Sequence, residues 1–285
     1  MKKYWGLNLV LALCFAKASY AQDYAALDSQ FTTSTVLPNI HYGFSLYDLD
    51  HDKYIYGSKE NQYFTPASNT KVYTLFSTIK HVGDSIPGIQ YVIRGDSLLF
   101  WGTGDPTFLH PQLDSRKVYD FLKNTTKELF YVRQESAEPA YRNGWSIEDY
   151  QEDYQPDIAT FPIYANVVRF VGRDSAIVTV PSYFQDYLRA TEQKSPKLSI
   201  SRAQHSNSFA STNSTVKPNY KTSKPFIWSD SLFVSLLQDT LHKQVNILTD
   251  YEKPDDIKTV YSVPRNVVLR AMMLPSDNFL AEQLT

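Results

Sequence analysis

One cysteine in 285 residues, Cys14, leaves nothing for a disulfide scaffold or a cysteine-based zinc site. The chain has no apolar run of about 18 residues, and its mean hydropathy is −0.36, which excludes a polytopic membrane protein. Neither sign of charge is in excess. The 28 Lys and Arg against 30 Asp and Glu give a formal net charge of −2, with no basic stripe, so a nucleic-acid binder is not expected. The six histidines show no His-Glu-x-x-His or comparable spacing, and no metal site is read from them. Internal repeats are absent too. What the chain does have is aromatic residues, 14% of the total with 21 Tyr and 16 Phe, which suit half-buried strands and ligand-gripping grooves better than a helical bundle. At roughly 100–200 residues per domain, the length fits one large domain or two smaller ones.

Residues 1–21 have the layout of a secretory signal peptide: Lys2 and Lys3, an apolar stretch over 7–16, then Ser19-Tyr20-Ala21. The apolar stretch is too short to cross a bilayer core of about 30 Å, which argues against a retained anchor and for no stable membrane span. A lipoprotein reading of Leu11-Ala12-Leu13-Cys14 is weak, because lipid attachment wants a small residue where Leu13 stands. Cleavage removes Cys14, so the exported chain is indifferent to an oxidising compartment. The short signal points to a bacterial periplasm or cell surface.

Residues 40–49 alternate as a half-buried strand does, and alternation resumes over 53–56, predicting a β-hairpin. Asp48, Asp50 and Asp52 in its turn have calcium-loop spacing. However, Lys53 and Lys59 stand where such a loop needs glycine and glutamate, so these are read as solvated turn carboxylates. Over 68–81, Val72, Leu75, Phe76 and Ile79 form one helical stripe, with Gly83 as a stop. Strand-like runs follow at 91–94 and 97–101, then Gly102-Thr103-Gly104-Asp105-Pro106. This is read as a tight turn and not a phosphate loop, since Gly-Lys-Ser/Thr and a following helix are lacking. Further strands are expected at 166–171 and 175–180, helices at 115–129, 228–245 and 266–273, and a polar loop or variable insertion at 200–226.

Ser68-Asn69-Thr70-Lys71 is a Ser-x-x-Lys at a helix start. Positions i and i+3 share a face, so the Lys71 amine can reach the Ser68 hydroxyl. Burial and the positive end of the helix dipole oppose the ammonium form, whose ordinary pKa near 10.4 must fall for the lysine to act as a base. Helix-start amides help hold an oxyanion. The pattern alone is cheap, since Ser77-Thr78-Ile79-Lys80 and Ser214-Thr215-Val216-Lys217 repeat it, and a helix cap beside a solvated lysine would look the same. Context adds to it. The stretch Tyr63-Phe64-Thr65-Pro66-Ala67-Ser68-Asn69-Thr70-Lys71 resembles the active-site segment of penicillin-binding proteins. Met272 to Leu284, with Ser276-Asp277-Asn278, resembles their Ser-x-Asn motif and the helix after it. Gly102-Thr103-Gly104-Asp105-Pro106 and the segment from Gly144-Trp145 to Asn166 are similar to further elements of one group, the D-alanyl-D-alanine carboxypeptidase/endopeptidases (class C low-molecular-mass penicillin-binding proteins).

That resemblance implies an α/β fold of the penicillin-binding or serine β-lactamase-like kind, an α/β sheet with an all-α subdomain, interrupted by a β-rich inserted domain. The chain would then divide into the signal peptide over 1–21, the first part of a transpeptidase-like catalytic domain over 22–90, the insertion over 91–244, and a truncated return to the catalytic domain over 245–285. The family's Lys-Thr-Gly element is not found. Lys221-Thr222-Ser223 precedes the Ser-x-Asn motif and lacks the glycine, so it is read as coincidence, as is Ser211-Thr212-Asn213. The missing strand is expected beyond Thr285, and the chain by itself is expected to turn over little.

By the same resemblance Ser68 is the nucleophile, Lys71 takes its proton, Ser276 relays a proton to the leaving amine, and Asn278 binds the substrate amide and steadies Lys71. The substrates implied are peptidoglycan stem peptides ending in D-Ala-D-Ala, and β-lactams should acylate Ser68. No cofactor is implied. Two rivals stand beside this reading. A class A serine β-lactamase also uses Ser-Asp-Asn, but much closer to its Ser-x-x-Lys and with a deacylating glutamate downstream. A non-catalytic cell-wall peptide binder would keep the scaffold without the third motif. A frame continuing past codon 285 to Lys-Thr-Gly would support the enzyme, and a stop codon the binder.

Overall fold

The computed structural model describes residues 25–113, 116–136 and 138–285. The signal peptide predicted over 1–21 lies outside the described residues. The chain forms two compact units that divide between Pro66 and Ala67.

In the first unit, helix α1 (Ala25–Thr33) precedes the predicted hairpin, β1 (Phe44–Asp48) and β2 (Lys53–Ser58), paired antiparallel from Phe44/Ser58 to Asp48/Lys53. Phe31 of α1 packs on Tyr42, Phe44 and Tyr56, which accounts for part of the aromatic content. The turn carboxylates serve the turn. Asp48 Oδ1 accepts the backbone amides of Asp50 and His51 at 3.0 and 3.2 Å, and Asp52 accepts the Tyr47 hydroxyl.

The second unit is built on a five-stranded mixed sheet in the order β12 (Val245–Leu248), β5 (Glu128–Val132), β4 (Ser97–Gly102), β3 (Ser85–Arg94), β13 (Lys258–Pro264). β12, β5 and β4 run parallel, while β3 and β13 pair antiparallel. Leu98 and Phe100 of β4 face helices α3 (Arg116–Asn124) and α4 (Asp230–Leu241), meeting Val118, Leu122, Phe233 and Leu237 in the main core. Leu99 and Trp101 point the other way, to Val92 and Val132. Burial on both faces is why β4 reads as an unbroken apolar run and not an alternating one. Two smaller sheets complete the unit: β11 (Lys221–Pro225), β6 (Val167–Arg173) and β7 (Ala176–Val180), and β8 (Leu188–Lys194), β10 (Phe209–Asn213) and β9 (Ile200–Arg202).

The observed elements correct three sequence readings. The helix predicted over 115–129 ends at Asn124, and 128–132 is strand β5, because Leu129 and Tyr131 find parallel partners in Leu98 and Phe100 of β4. The helical period had run on across the boundary. The polar loop predicted over 200–226 carries three short strands. Phe209 and Ser211 turn inward and partner strands supply the ladder, so tertiary pairing overrides a weak local propensity. Finally, β3 runs across residue 90. Pro87-Gly88 hid its first half, and the sheet takes strands from both sides of residues 90 and 244.

The Gly102–Pro106 turn closes β4 against the segment at 159–161. A Cβ on Gly102 would lie 2.2 Å from the Thr160 carbonyl oxygen, so only glycine allows that approach. Asp105, buried, accepts the Thr107 amide at 2.9 Å on Oδ1, and burial pushes its carboxyl up to about 6. We expect Gly102→Ala to cost about 2–3 kcal/mol through forced separation of two backbone segments. Urea denaturation of the variant checks this, and an unchanged midpoint would contradict it.

Candidate active site

Local sequence builds the nucleophile turn. The Thr70 side chain donates to the Ala67 carbonyl at 2.8 Å, and Asn69 Oδ1 accepts the Ala67 amide at 3.0 Å, so the two variable positions of Ser-x-x-Lys hold the bend themselves. Ser68–Thr70 is one 3₁₀ turn that passes into α2 (Lys71–His81), which begins where the sequence predicted. Ser68 is exposed, whereas Lys71 is 6% exposed.

The face that α2 buries differs from the predicted stripe. Lys71, Thr74 and Thr78 turn inward, while Val72, Phe76 and Ile79 are 55%, 62% and 47% exposed. Thr78 satisfies its buried hydroxyl on the Thr74 carbonyl. Leu75, the fourth member of the predicted stripe, packs against the core that holds Val268 and Phe279.

Lys71 Nζ stands between two oxygens distant from each other in sequence. It is hydrogen-bonded to Ser68 Oγ at 3.0 Å and donates to Asn278 Oδ1 at 2.5 Å. Asn278 opens helix α6 (Asn278–Gln283), which is seated by Phe279 and Leu280 in a core shared with Ile86, Val263 and helix α5 (Arg265–Met273). Ser276 lies two residues earlier, exposed and with left-handed backbone (φ 61°), and it is not hydrogen-bonded to Ser68 or Lys71. Of the four residues named from sequence, Ser68, Lys71 and Asn278 are brought into contact, and Ser276 makes no hydrogen bond to any of them.

Burial holds the Lys71 amine below the ordinary lysine range, and the carboxylates of Asp277 and Glu282 act against that shift. Sequence reasoning missed these two charges. Asp277 was visible as the middle residue of Ser-x-Asn, but its second use was not: it caps α6 by accepting the Leu280 amide at 2.8 Å. A serine hydroxyl hydrogen-bonded to a buried amine whose ammonium form is disfavoured by burial is the arrangement of a nucleophile beside its own base. Among the described residues, no group of three or more His, Cys, Asp or Glu is placed to hold a metal ion, and no helix is long and apolar enough to cross a membrane.

Comparisons with known proteins bear on the family and the fold. Residues 24–285 match the peptidase family described as D-Ala-D-Ala carboxypeptidase 3 (S13). No curated protein matches the sequence. Among solved structures, the chain is similar to penicillin binding protein 4 (dacB) from Haemophilus influenzae, with TM-score 0.58 and 18% identity over 85% of this chain and 61% of that one. It is likewise similar to the same protein complexed with a β-lactam, with TM-score 0.53 and 17% identity over 85% of this chain and 60% of that one. The α/β penicillin-binding fold expected from the motifs is therefore the fold observed, and the chain spans about three fifths of those structures' length.

Proposed function

Since the chain belongs to the D-Ala-D-Ala carboxypeptidase 3 (S13) family, we propose that it is the nucleophile-bearing part of a penicillin-sensitive serine peptidase that hydrolyses D-alanyl-D-alanine-type bonds in peptidoglycan stem peptides in the periplasm. The observation that supports this reading most is the 3.0 Å contact of the Lys71 amine with the Ser68 hydroxyl, with Asn278 on the amine's other side.

In its neutral form Lys71 accepts the Ser68 proton as Oγ attacks the carbonyl carbon of the penultimate D-alanine. A tetrahedral intermediate forms, and the Ser68 backbone N–H is one donor to its oxyanion. The C–N bond then breaks, and the proton passes from Lys71 through Ser276 to the leaving amine. The acyl-enzyme ester is cleaved by water, which returns the proton to Ser68. Asn278 Oδ1 holds the ammonium in place while it carries the proton. A β-lactam carbonyl acylates Ser68 by the same first step.

The test is incubation of the full-length protein with a peptide ending in D-Ala-D-Ala and, separately, with penicillin. We expect D-alanine release, and a penicilloyl adduct located on Ser68 by peptide mass spectrometry. An unmodified Ser68 with no D-alanine released would overturn the reading.

The charge arrangement makes a finer expectation. The Asp277 carboxylate favours the Lys71 ammonium. In Asp277→Asn, which keeps a capping side chain, the amine loses its proton at lower pH. The rising limb of acylation rate against pH should therefore move to lower pH, as stopped-flow measurements with a chromogenic β-lactam would record. A limb that moves upward contradicts this.

A further inference from the structure

Asn278 does its work from the first turn of a six-residue helix, α6, too short to hold its own position in water. Its oxygen must nevertheless meet Lys71 at 2.5 Å. At the helix start, the Asp277 amide donates to the Met272 carbonyl at 2.8 Å. At the helix end, the Gln283 carboxamide is used in both senses against one buried residue. Its Oε1 accepts the Ala159 amide at 3.1 Å, and its Nε2 donates to the Ala159 carbonyl at 2.8 Å.

That pairing copies a strand-to-strand bridge with a side chain. The strip that receives it is fixed in turn by the glycine turn after β4, since the Gly104 amide donates to the Thr160 carbonyl at 2.8 Å. Gly104 itself is left-handed (φ 76°), and a Cβ there would sit 3.5 Å from Gln283 Nε2. The Gly102-Thr103-Gly104 element, which the chemistry at Ser68 does not use, is thus the far end of a rigid path: β4, Ala159–Thr160, Gln283, α6, Asn278.

We propose that Gln283 is a positioning residue for Asn278, and that the glycine turn exists to present Ala159 to it; this rests on the Ser68–Lys71–Asn278 reading above. The reaction needs Asn278 Oδ1 within hydrogen-bond reach of the Lys71 amine, and Gln283 sets that distance from the opposite end of the helix. Glu282 adds a second tie at the same end, with its carboxylate 3.6 Å from Arg142 Nε.

The test uses Gln283→Leu, which removes both hydrogen bonds, Gln283→Glu, which keeps the acceptor only, and Leu237→Ala as a core variant destabilised away from α6. In the full-length protein we expect Gln283→Leu to lower the penicillin acylation rate about 10- to 100-fold, with Gln283→Glu between it and wild type. The rising pH limb should move to lower pH in Gln283→Leu, because the ammonium loses its acceptor on Asn278, and loosening the helix that Asp277 caps and that carries Glu282 weakens the two charges that favour the ammonium, which acts in the same direction. Leu237→Ala should lower the unfolding midpoint while leaving rate and limb in place. Hydrogen exchange over residues 278–283 should quicken in Gln283→Leu. A wild-type rate, an unmoved limb or unchanged exchange in Gln283→Leu overturns the proposal, as does an equal effect from Leu237→Ala. A wild-type protein that penicillin does not label at all overturns the Ser68 reading instead, while the exchange measurement still decides whether Gln283 anchors α6.

Discussion

Full-length Ser68→Ala protein is expected to show no covalent labelling by a fluorescent penicillin, and a loss of D-alanine release of about 10³-fold or more. The size follows from what the hydroxyl does. In the proposed mechanism it is the group to which the acyl group becomes attached, so without it only binding and oxyanion stabilisation would remain, and neither leaves a covalent product. Folding is not expected to confuse the result. Ser68 is exposed, and the bend that carries it is held by Asn69, Thr70 and Ala67. The unfolding midpoint should match wild type. A label that persists on Ser68→Ala at the wild-type rate removes Ser68 from the role of nucleophile.

The second large effect is expected at Lys71. Lys71→Met keeps a long apolar side chain and removes the amine, and acylation should fall by about 10²–10⁴-fold, the usual contribution of a positioned general base. The pH profile separates this from a packing defect. In wild type the rate is expected to rise with pH as Lys71 loses its proton, over an interval that burial of the amine places below the ordinary lysine range. In Lys71→Met the residual rate should show no such rise. Lys71→Arg should not restore it, because a guanidinium stays protonated and cannot accept the Ser68 proton. A residual rate in Lys71→Met that still climbs over the wild-type interval would assign the titration to another group.

Much of this was legible without coordinates, for reasons that can be named. The hairpin of β1 and β2 follows from period-two alternation around a turn of three aspartates. The start of α2 and the Ser68–Lys71 contact follow from a three-residue helical spacing. What local pattern could not give was anything decided by partners far away in sequence. The helix read over 115–129 overran into Glu128 and Leu129, which belong to a strand because β4 lies beside them. The Ser- and Thr-rich run at 209–213 is a strand because β8 and β9 flank it. Of the predicted stripe of α2, Leu75 packs against the core while Val72, Phe76 and Ile79 are exposed, because a helical period shows which residues share a face and not which partners cover it.

The single cysteine, the balanced charge and the lack of a long apolar run narrowed the class of protein; helical and strand periods and turn residues, which act over a few positions, gave local elements, and the resemblance carried by two short motifs with a glycine-rich turn between them implied the chemistry. That Asn278 steadies Lys71 was implied by the family resemblance; tertiary structure alone decided that Asp277 and Glu282 set their charges against the burial of the amine, and that Gln283 ties the carrying helix to Ala159. Each of these joins groups distant in the chain, and charge, hydrogen-bond distance and packing depend on separation in space, which no local spacing encodes.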